Sequence, residues 1–365
     1  MSRDQVQEKA LEIAISNNRC GLGISMGVGK TRVGLQHMIK NYNPLSSYLV
    51  VAPKKSIFNS WNQEMVKTET ENMRKHITYT TYLSLNKHNP NDYDIVYLDE
   101  CHSLLLSHEE FLAPFKGKIL GLTGTPPKRR GSDKYFMVNK YCPMKYKFSV
   151  DDASDNKILN QYQIIIHHLQ LSKVSNLKKS TKDGRTWYTS EQKDYEYVCG
   201  RVNESATHKQ RQFNSIMRMR SMMDYTTKEA YAKGMLKHMT DKCIIFANTQ
   251  YQADTICSHS YHSNNKNSED NLELFSDGRI DKLSCVLQLS EGVSIPGLKQ
   301  GIILHSYGNN RKSSQRIGRL LRLNPTETAT CHILCYKDTI DEKWVADALA
   351  EFDQNKIKYY NPLDN

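Results

Sequence analysis

The chain predicts an α/β fold of two lobes, each a parallel sheet flanked by helices, and three observations lead there. Short apolar runs alternate with helix-period stretches through the first third of the sequence. The same alternation resumes after Lys242, beyond a polar interval of different composition. The length, 365 residues, is long for one core and comfortable for two. Alternation of this kind suits a parallel sheet, because a helix must cross over before the next strand can lie beside the last.

Residues 6–17 carry a helical pattern. Residues 20–25 read as the first strand, and the helix that begins near Lys30 carries Leu35, Met38 and Ile39 at i, i+3 and i+4. Residues 48–52 form a second strand, stopped by Pro53, with a helix over 57–66. Further strands are expected at 77–81, 95–98 and 119–122. Residues 126–150 break the rhythm with Pro126, Pro127, Gly131 and Pro143, and read as a crossing between lobes. The first lobe is then 1–150 and the second 151–365. In the second, 162–171 reads as a long strand. A mostly helical insertion follows over 172–240, with a hairpin turn at Asp183-Gly184. Strands are expected again at 243–246, 286–289, 302–305 and 331–336.

Lys and Arg total 50 against 39 Asp and Glu, a formal charge of +11, which favours a polyanionic partner. The nine cysteines include no C-x-x-C pair. Cys331 and Cys335 fall on one face of a strand, which suits buried thiols, and unpaired cysteines point to a reducing intracellular compartment. The N-terminus has no apolar signal core, and no apolar run approaches membrane-spanning length. His167-His168 in a strand-like run and His259 and His262 in a polar loop argue against a metal site.

Residues 25–31 read Ser-Met-Gly-Val-Gly-Lys-Thr between a strand and a helix. Glycines at the mouth of a helix let backbone N–H groups of Met26, Gly27, Val28 and Gly29 turn toward a triphosphate. Lys30 then reaches the β- and γ-phosphates and the Thr31 hydroxyl can ligate Mg²⁺. The full pattern places a glycine where this chain has Ile24. Asp99-Glu100-Cys101-His102 follows an apolar strand, so Asp99 can hold Mg²⁺ and Glu100 can orient or deprotonate water. Thr123-Gly124-Thr125-Pro126 ends another strand with small hydroxyl residues able to link the γ-phosphate region to its neighbours. Gln315, Arg319 and Arg322 lie at i, i+4 and i+7, one face of a helix. That face is either a solvated basic surface or a source of charge for a transferring phosphoryl group.

With these residues assembled, the chain resembles the superfamily-2 helicases and translocases over nearly its whole length. Residues 25–31 are similar to motif I in the Met-Gly-x-Gly-Lys-Thr form of Swi/Snf-type ATPases, which also lack the leading glycine. Residues 51–56 with Trp61 resemble motif Ia, and Tyr79-Thr80-Thr81-Tyr82 the next strand-contacting segment. Residues 99–102 resemble a DExH motif II, 123–126 motif III, 244–248 motif IV, 291–296 motif V and 315–322 motif VI. Ser294 stands where many relatives carry Asp. The compact, mixed character looks most like phage-type or bacterial DNA helicases, the branch-migration type included.

The resemblance implies two RecA-like lobes, ATP and Mg²⁺ as cofactors, and hydrolysis at a cleft between the lobes that moves the protein, as a monomer, along nucleic acid. It implies adenine reading by Gln7 and coupling by His102, Thr123 and Thr125. It also implies phosphate contacts from Lys54, Lys55, Ser56, Thr80, Thr81, Asn248 and Ser294. DNA is favoured over RNA. An RNA helicase of the same fold and a non-hydrolysing nucleotide switch are the rival readings. Arg201, Lys209, Arg211, Arg218 and Arg220 extend the basic track, while Met217, Met219, Met222 and Met223 read as helix core. Arg185-Thr186-Trp187-Tyr188 reads as a structural hairpin or a base-stacking surface.

Overall fold

The structure, a computed structural model, describes residues 1–181, 183–286, 295–306, 327–350 and 352–362. The chain divides into two compact units, the first taking in Met1–Gln161 and the second beginning at Tyr162. In the first, β1 (Arg19–Ile24), β2 (Tyr48–Ala52), β3 (Ile77–Thr81), β4 (Ile95–Asp99), β5 (Lys118–Thr123) and β6 (Met144–Phe148) form one sheet in the order β3-β2-β4-β5-β1-β6. Every pairing in it is parallel. β2 and β4 are buried along their whole length, which is why they read as unbroken apolar runs rather than alternating ones. The helices α1 (Arg3–Ile15), α2 (Lys30–Lys40) and α3 (Ser56–Lys67) pack in sequence, α1 on α2 and α2 on α3. Leu49, Val51, Leu98, Phe111, Ile119 and Val138 belong to one core cluster. Because all six strands point the same way, their carboxyl ends share one edge, where open α/β sheets bind ligands.

β6 corrects the expectation that residues 126–150 only cross between lobes. It sits at the sheet edge beside β1 with Lys145 and Lys147 exposed in alternation. Charges of this kind protect an edge strand from unwanted pairing and make it look loop-like in sequence.

The second unit holds a seven-stranded sheet. Its strands are β7 (Gln161–Leu169), β10 (Cys243–Ala247), β11 (Ser260–Tyr261), β12 (Lys282–Val286), β13 (Gln300–Ile303), β14 (Thr328–Tyr336) and β15 (Ile357–Tyr360), ordered β11-β12-β10-β13-β14-β7-β15. The strand expected at 286–289 is instead Lys282–Val286, and residues 287–289 lie outside the described ones. His259 and His262 lie in bends on either side of β11, and His262 is buried and binds Asp254 Oδ1 at 2.8 Å. Cys331 and Cys335 are buried on β14.

Between β7 and β10 lie an antiparallel hairpin, β8 (Leu177–Ser180) with β9 (Thr186–Thr189), and the helices Glu191–Asn203, His208–Met223 and Thr227–His238. Gly184 turns the hairpin at φ +85°. This stretch is fastened by buried carboxylates. Glu191 accepts the Thr226 and Thr227 N–H groups at 2.8 and 2.9 Å, capping a helix whose own N-cap supplies no side-chain acceptor. Asp194 accepts the Tyr225 hydroxyl at 2.9 Å and pairs with Lys179 of β8 at 3.1 Å. Met222, Tyr225 and Ala232 join Ile245, Ile302 and Tyr336 in the second core. Of the four methionines only Met222 is fully enclosed, and Met217 is 42% exposed, because the helix His208–Met223 buries a narrow face.

Lys228 and Asp341 form an ion pair with neither side chain more than 1% exposed, the ammonium lying 4.6 Å from the Tyr336 ring centre. Removing one member strands the other charge in the core. Lys228→Met is therefore expected to cost about 3–5 kcal/mol in urea unfolding of the full chain.

A second test concerns His167 and His332, whose rings meet at 2.9 Å with the Tyr231 hydroxyl 2.9 Å from His167. Burial pulls both down to about 4, and His332 adds its like charge against His167. Unfolded histidines titrate near 6.5, so the unfolded chain takes protons first. Stability is complete above that value and falls as pH drops toward and through 4. The unfolding midpoint should decline over that window, less steeply in His332→Asn.

Candidate active site

The loop after β1 is shaped by backbone rather than side chains. Ile24 is 1% exposed inside the strand, so a glycine has no task at that position. Gly27 and Gly29 hold φ of +85° and +108°, a region that disfavours any side chain. A Cβ on Gly29 would also lie 2.4 Å from Gln7 Nε2. Gly29 caps α2 without a side-chain acceptor, which leaves the first-turn N–H groups for an anion. Met26 and Val28 complete the turn, and Lys30 and Thr31 open the helix. Gln7 is buried and donates to the Val28 carbonyl at 2.6 Å, and Arg3 Nε donates to the same oxygen at 3.1 Å. Arg3 was not visible in sequence as part of this loop, since nothing distinguishes it from other surface cations. The Ser25 hydroxyl is buried at the mouth of the loop with no hydrogen-bond partner among the described residues.

Lys30 Nζ lies 3.4 Å from Glu100 Oε1, the two side chains only 11% and 13% exposed. Glu100 adopts φ +50°, a strained left-handed turn for a non-glycine residue, just past the end of β4. The Thr123 hydroxyl donates to Glu100 Oε2 at 3.2 Å and stands 2.7 Å from His102 Nδ1. That direction makes His102 Nδ1–H the donor to the Thr123 oxygen, an assignment from the network. His102 Nδ1 lies 3.3 Å from Glu100 Oε2, and Thr125 Oγ1 3.4 Å from the same nitrogen. Burial would raise the Glu100 carboxyl, but Lys30 and His102 outweigh it and hold the group well below the usual range. It is therefore a carboxylate at neutral pH.

Asp99 is 4% exposed at the end of β4. Its Oδ1 accepts the Glu100 N–H at 3.0 Å, its Oδ2 accepts the Trp61 indole N–H at 2.8 Å, and its carbonyl accepts the Tyr82 hydroxyl at 2.9 Å. Gly124 keeps the Thr123–Thr125 turn close to the phosphate loop, since a Cβ there would lie 3.1 Å from Lys30 Nζ. The structure thus gathers Lys30, Glu100, His102, Thr123 and Thr125 into one network with Asp99 beside it.

Of the residues expected to hold nucleic acid, those of the first unit are spread along the same edge of its sheet. Lys54 and Lys55 are exposed and Ser56 opens α3, at the carboxyl end of β2. Thr80 is buried with its hydroxyl 2.9 Å from His88 Nε2, while Thr81 ends β3 half-buried. In the second unit Asn248 follows β10, its N–H donating to Gln252 Oε1 at 3.3 Å. Ser294, Gln315, Arg319 and Arg322 lie outside the described residues. On the hairpin, Trp187 and Tyr188 are 47% and 64% exposed.

Comparison with known proteins bears on the fold and the activity. Residues 1–128 match the family "Type III restriction enzyme, res subunit", and residues 226–324 match the helicase conserved C-terminal domain. The DNA 3'-5' translocase XPB2 of Sulfurisphaera tokodaii is 22% identical over 92% of this chain and 82% of its own length. The ATP-dependent Type ISP restriction-modification enzyme LlaBIII, solved bound to DNA, superposes with a TM-score of 0.64 at 14% identity. That match covers 98% of this chain and 31% of LlaBIII, so the chain spans about a third of it. S. cerevisiae Dbp5 bound to RNA and ADP BeF3 superposes with a TM-score of 0.58 at 13% identity, over 98% of this chain and 89% of Dbp5. At such identities the superpositions speak to the fold, two RecA-like lobes, while the two family matches and the translocase relative carry the function. The chain is a superfamily-2 helicase/translocase, an enzyme that hydrolyses ATP.

Proposed function

We propose that this chain is an ATP-driven DNA translocase whose hydrolytic groups are Lys30, Asp99 and Glu100. The observation that carries this reading is the buried network of Lys30, Glu100, His102 and Thr123 beside a glycine loop with free helix-end donors. The unpartnered Ser25 hydroxyl and the clustered carboxylates fit a magnesium nucleotide. Thr31 and Asp99 would hold the cation, which when bound offsets phosphate charge.

Lys30 exchanges Glu100 for the β- and γ-phosphates when nucleotide enters, and Glu100 then orients the attacking water and takes its proton. Gln7 reads the base. His102, Thr123 and Thr125 relay the state of Glu100 to the Thr123 turn. Arg319 and Arg322 supply charge to the phosphates with Gln315 of the same motif as a neutral hydrogen-bonding group, and Lys54, Lys55, Ser56, Thr80, Thr81, Asn248 and Ser294 lie along the bound strand. Thr80 reaches phosphate only if His88 releases its hydroxyl.

The preference for DNA rests on the translocase relative, which spans 92% of the chain. The likeness to an RNA-bound structure favours RNA as the second reading. ATP turnover measured at matched salt with single-stranded, duplex and branched DNA and with RNA separates them. DNA should stimulate more strongly, and the effect should weaken as salt rises, as phosphate-held complexes of a chain with charge +11 do. Equal or stronger stimulation by RNA reverses the assignment.

A further inference from the structure

The Trp61 side chain sits where three pieces of the first unit meet. It is 0% exposed, belongs to α3, and its indole N–H reaches Asp99 Oδ2 at 2.8 Å. Its ring meets Tyr97 of β4 edge-on, centroids 5.7 Å apart. Against α2 it fits so closely that a Cβ on Gly34 would lie 2.7 Å from Trp61 Cη2. One ring therefore touches the helix that starts at Lys30, the strand that ends at Asp99 and the helix that starts at the Lys54-Lys55-Ser56 turn.

A buried indole must satisfy its N–H, and a backbone carbonyl would serve. Here the acceptor is a carboxylate whose other oxygen is already held by the Glu100 N–H. Two donors, one on each oxygen, fix the plane of the carboxylate. Both of these donors are neutral, so neither offsets the carboxylate's charge as an arginine or lysine in place of Trp61 would.

We propose that Trp61 is a positioning residue: its indole N–H sets the Asp99 carboxylate for a divalent cation and ties it to the helix beginning at Lys54-Lys55-Ser56. The proposal rests on the reading of Asp99 as the cation ligand. Groups that orient a metal ligand from behind typically contribute 10–100-fold in metal affinity.

The test is binding, without turnover, of a fluorescent, slowly hydrolysed ATP analogue titrated with Mg²⁺. In Trp61→Phe, which keeps an aromatic ring and loses the donor, half-saturation by Mg²⁺ should rise about tenfold. Affinity for the metal-free nucleotide should be unchanged. A merely structural tryptophan predicts a lower melting temperature with the same Mg²⁺ half-saturation, and that result overturns the proposal. Wild-type binding that ignores Mg²⁺ altogether overturns the Asp99 assignment as well, so the two failures are distinct.

A second measurement does not need Trp61→Phe to fold. The chain has three tryptophans, so 5-fluorotryptophan labelling gives three ¹⁹F resonances, assigned through Trp187→Phe and Trp344→Phe. The Trp61 resonance should move when Mg²⁺ is added to the nucleotide-bound protein. A resonance that stays in place contradicts the proposal.

Discussion

Glu100→Gln is expected to lower nucleic-acid-stimulated ATP turnover by about 10²–10⁴, the range for loss of a positioned general base. Glutamine keeps the shape and can still accept from the Thr123 hydroxyl, which lies 3.2 Å from Oε2, so the fold and the loop should persist. What it cannot do is take a proton. In the native site Lys30 and His102 hold the carboxyl well below its ordinary range against the opposing effect of burial, so the base is available throughout the neutral region. ATP binding should change little, because the glutamate meets water rather than phosphate. Single-turnover kinetics with enzyme in excess of nucleotide check this directly. A variant that binds ATP normally and turns it over at the wild-type rate would remove Glu100 from the chemistry.

Lys30→Ala should act on binding and turnover together. The ammonium lies 3.4 Å from Glu100, and its charge-assisted contacts to phosphate are worth roughly 1.5–3 kcal/mol, about one to two powers of ten in affinity. Its loss from the transition state should take a further 10²–10³ or so from turnover. A second effect follows from the pair. Without Lys30, burial has only His102 to oppose it, and the Glu100 carboxyl moves upward. The acid limb of the residual kcat/KM, which reports the nucleotide-free enzyme where the two groups are paired, should then shift to higher pH. Equilibrium nucleotide binding and a pH–rate profile measure the two effects separately, and an unmoved acid limb would break the Lys30–Glu100 linkage.

The candidate reacting groups could be picked out because they gather at the ends of apolar strands. Asp99 and Thr123 end β4 and β5 and Lys30 lies beyond the loop after β1, and a parallel sheet brings such ends to one edge whatever the loops between them do. The bounds of β2 and β3 coincide with the strands expected at 48–52 and 77–81. What escaped was side-chain direction. Trp61 and Asp99 are remote in sequence, and their bond depends on the angle at which α3 crosses β4, which no local pattern encodes. Arg3 on the Val28 carbonyl and His88 on the Thr80 hydroxyl are hidden likewise, as long-range partners of ordinary polar residues. β6 and β15 escaped for another cause: both are edge strands with exposed residues, β6 with lysines in alternation and β15 only four residues long, and they carry little apolar signal. The Lys228–Asp341 pair was invisible too, because a lysine looks solvent-facing until a distant carboxylate is brought to it.

The central claim is that hydrolysis at Lys30, Asp99 and Glu100 drives movement along DNA. Displacement of a third strand from a DNA triplex, followed by fluorescence as the protein runs along the duplex, tests it most directly. The account predicts strand release that requires ATP, occurs later as the approach track is lengthened, and vanishes in Glu100→Gln at full DNA occupancy. Release at the wild-type rate in Glu100→Gln, or in wild type without hydrolysable ATP, would contradict it.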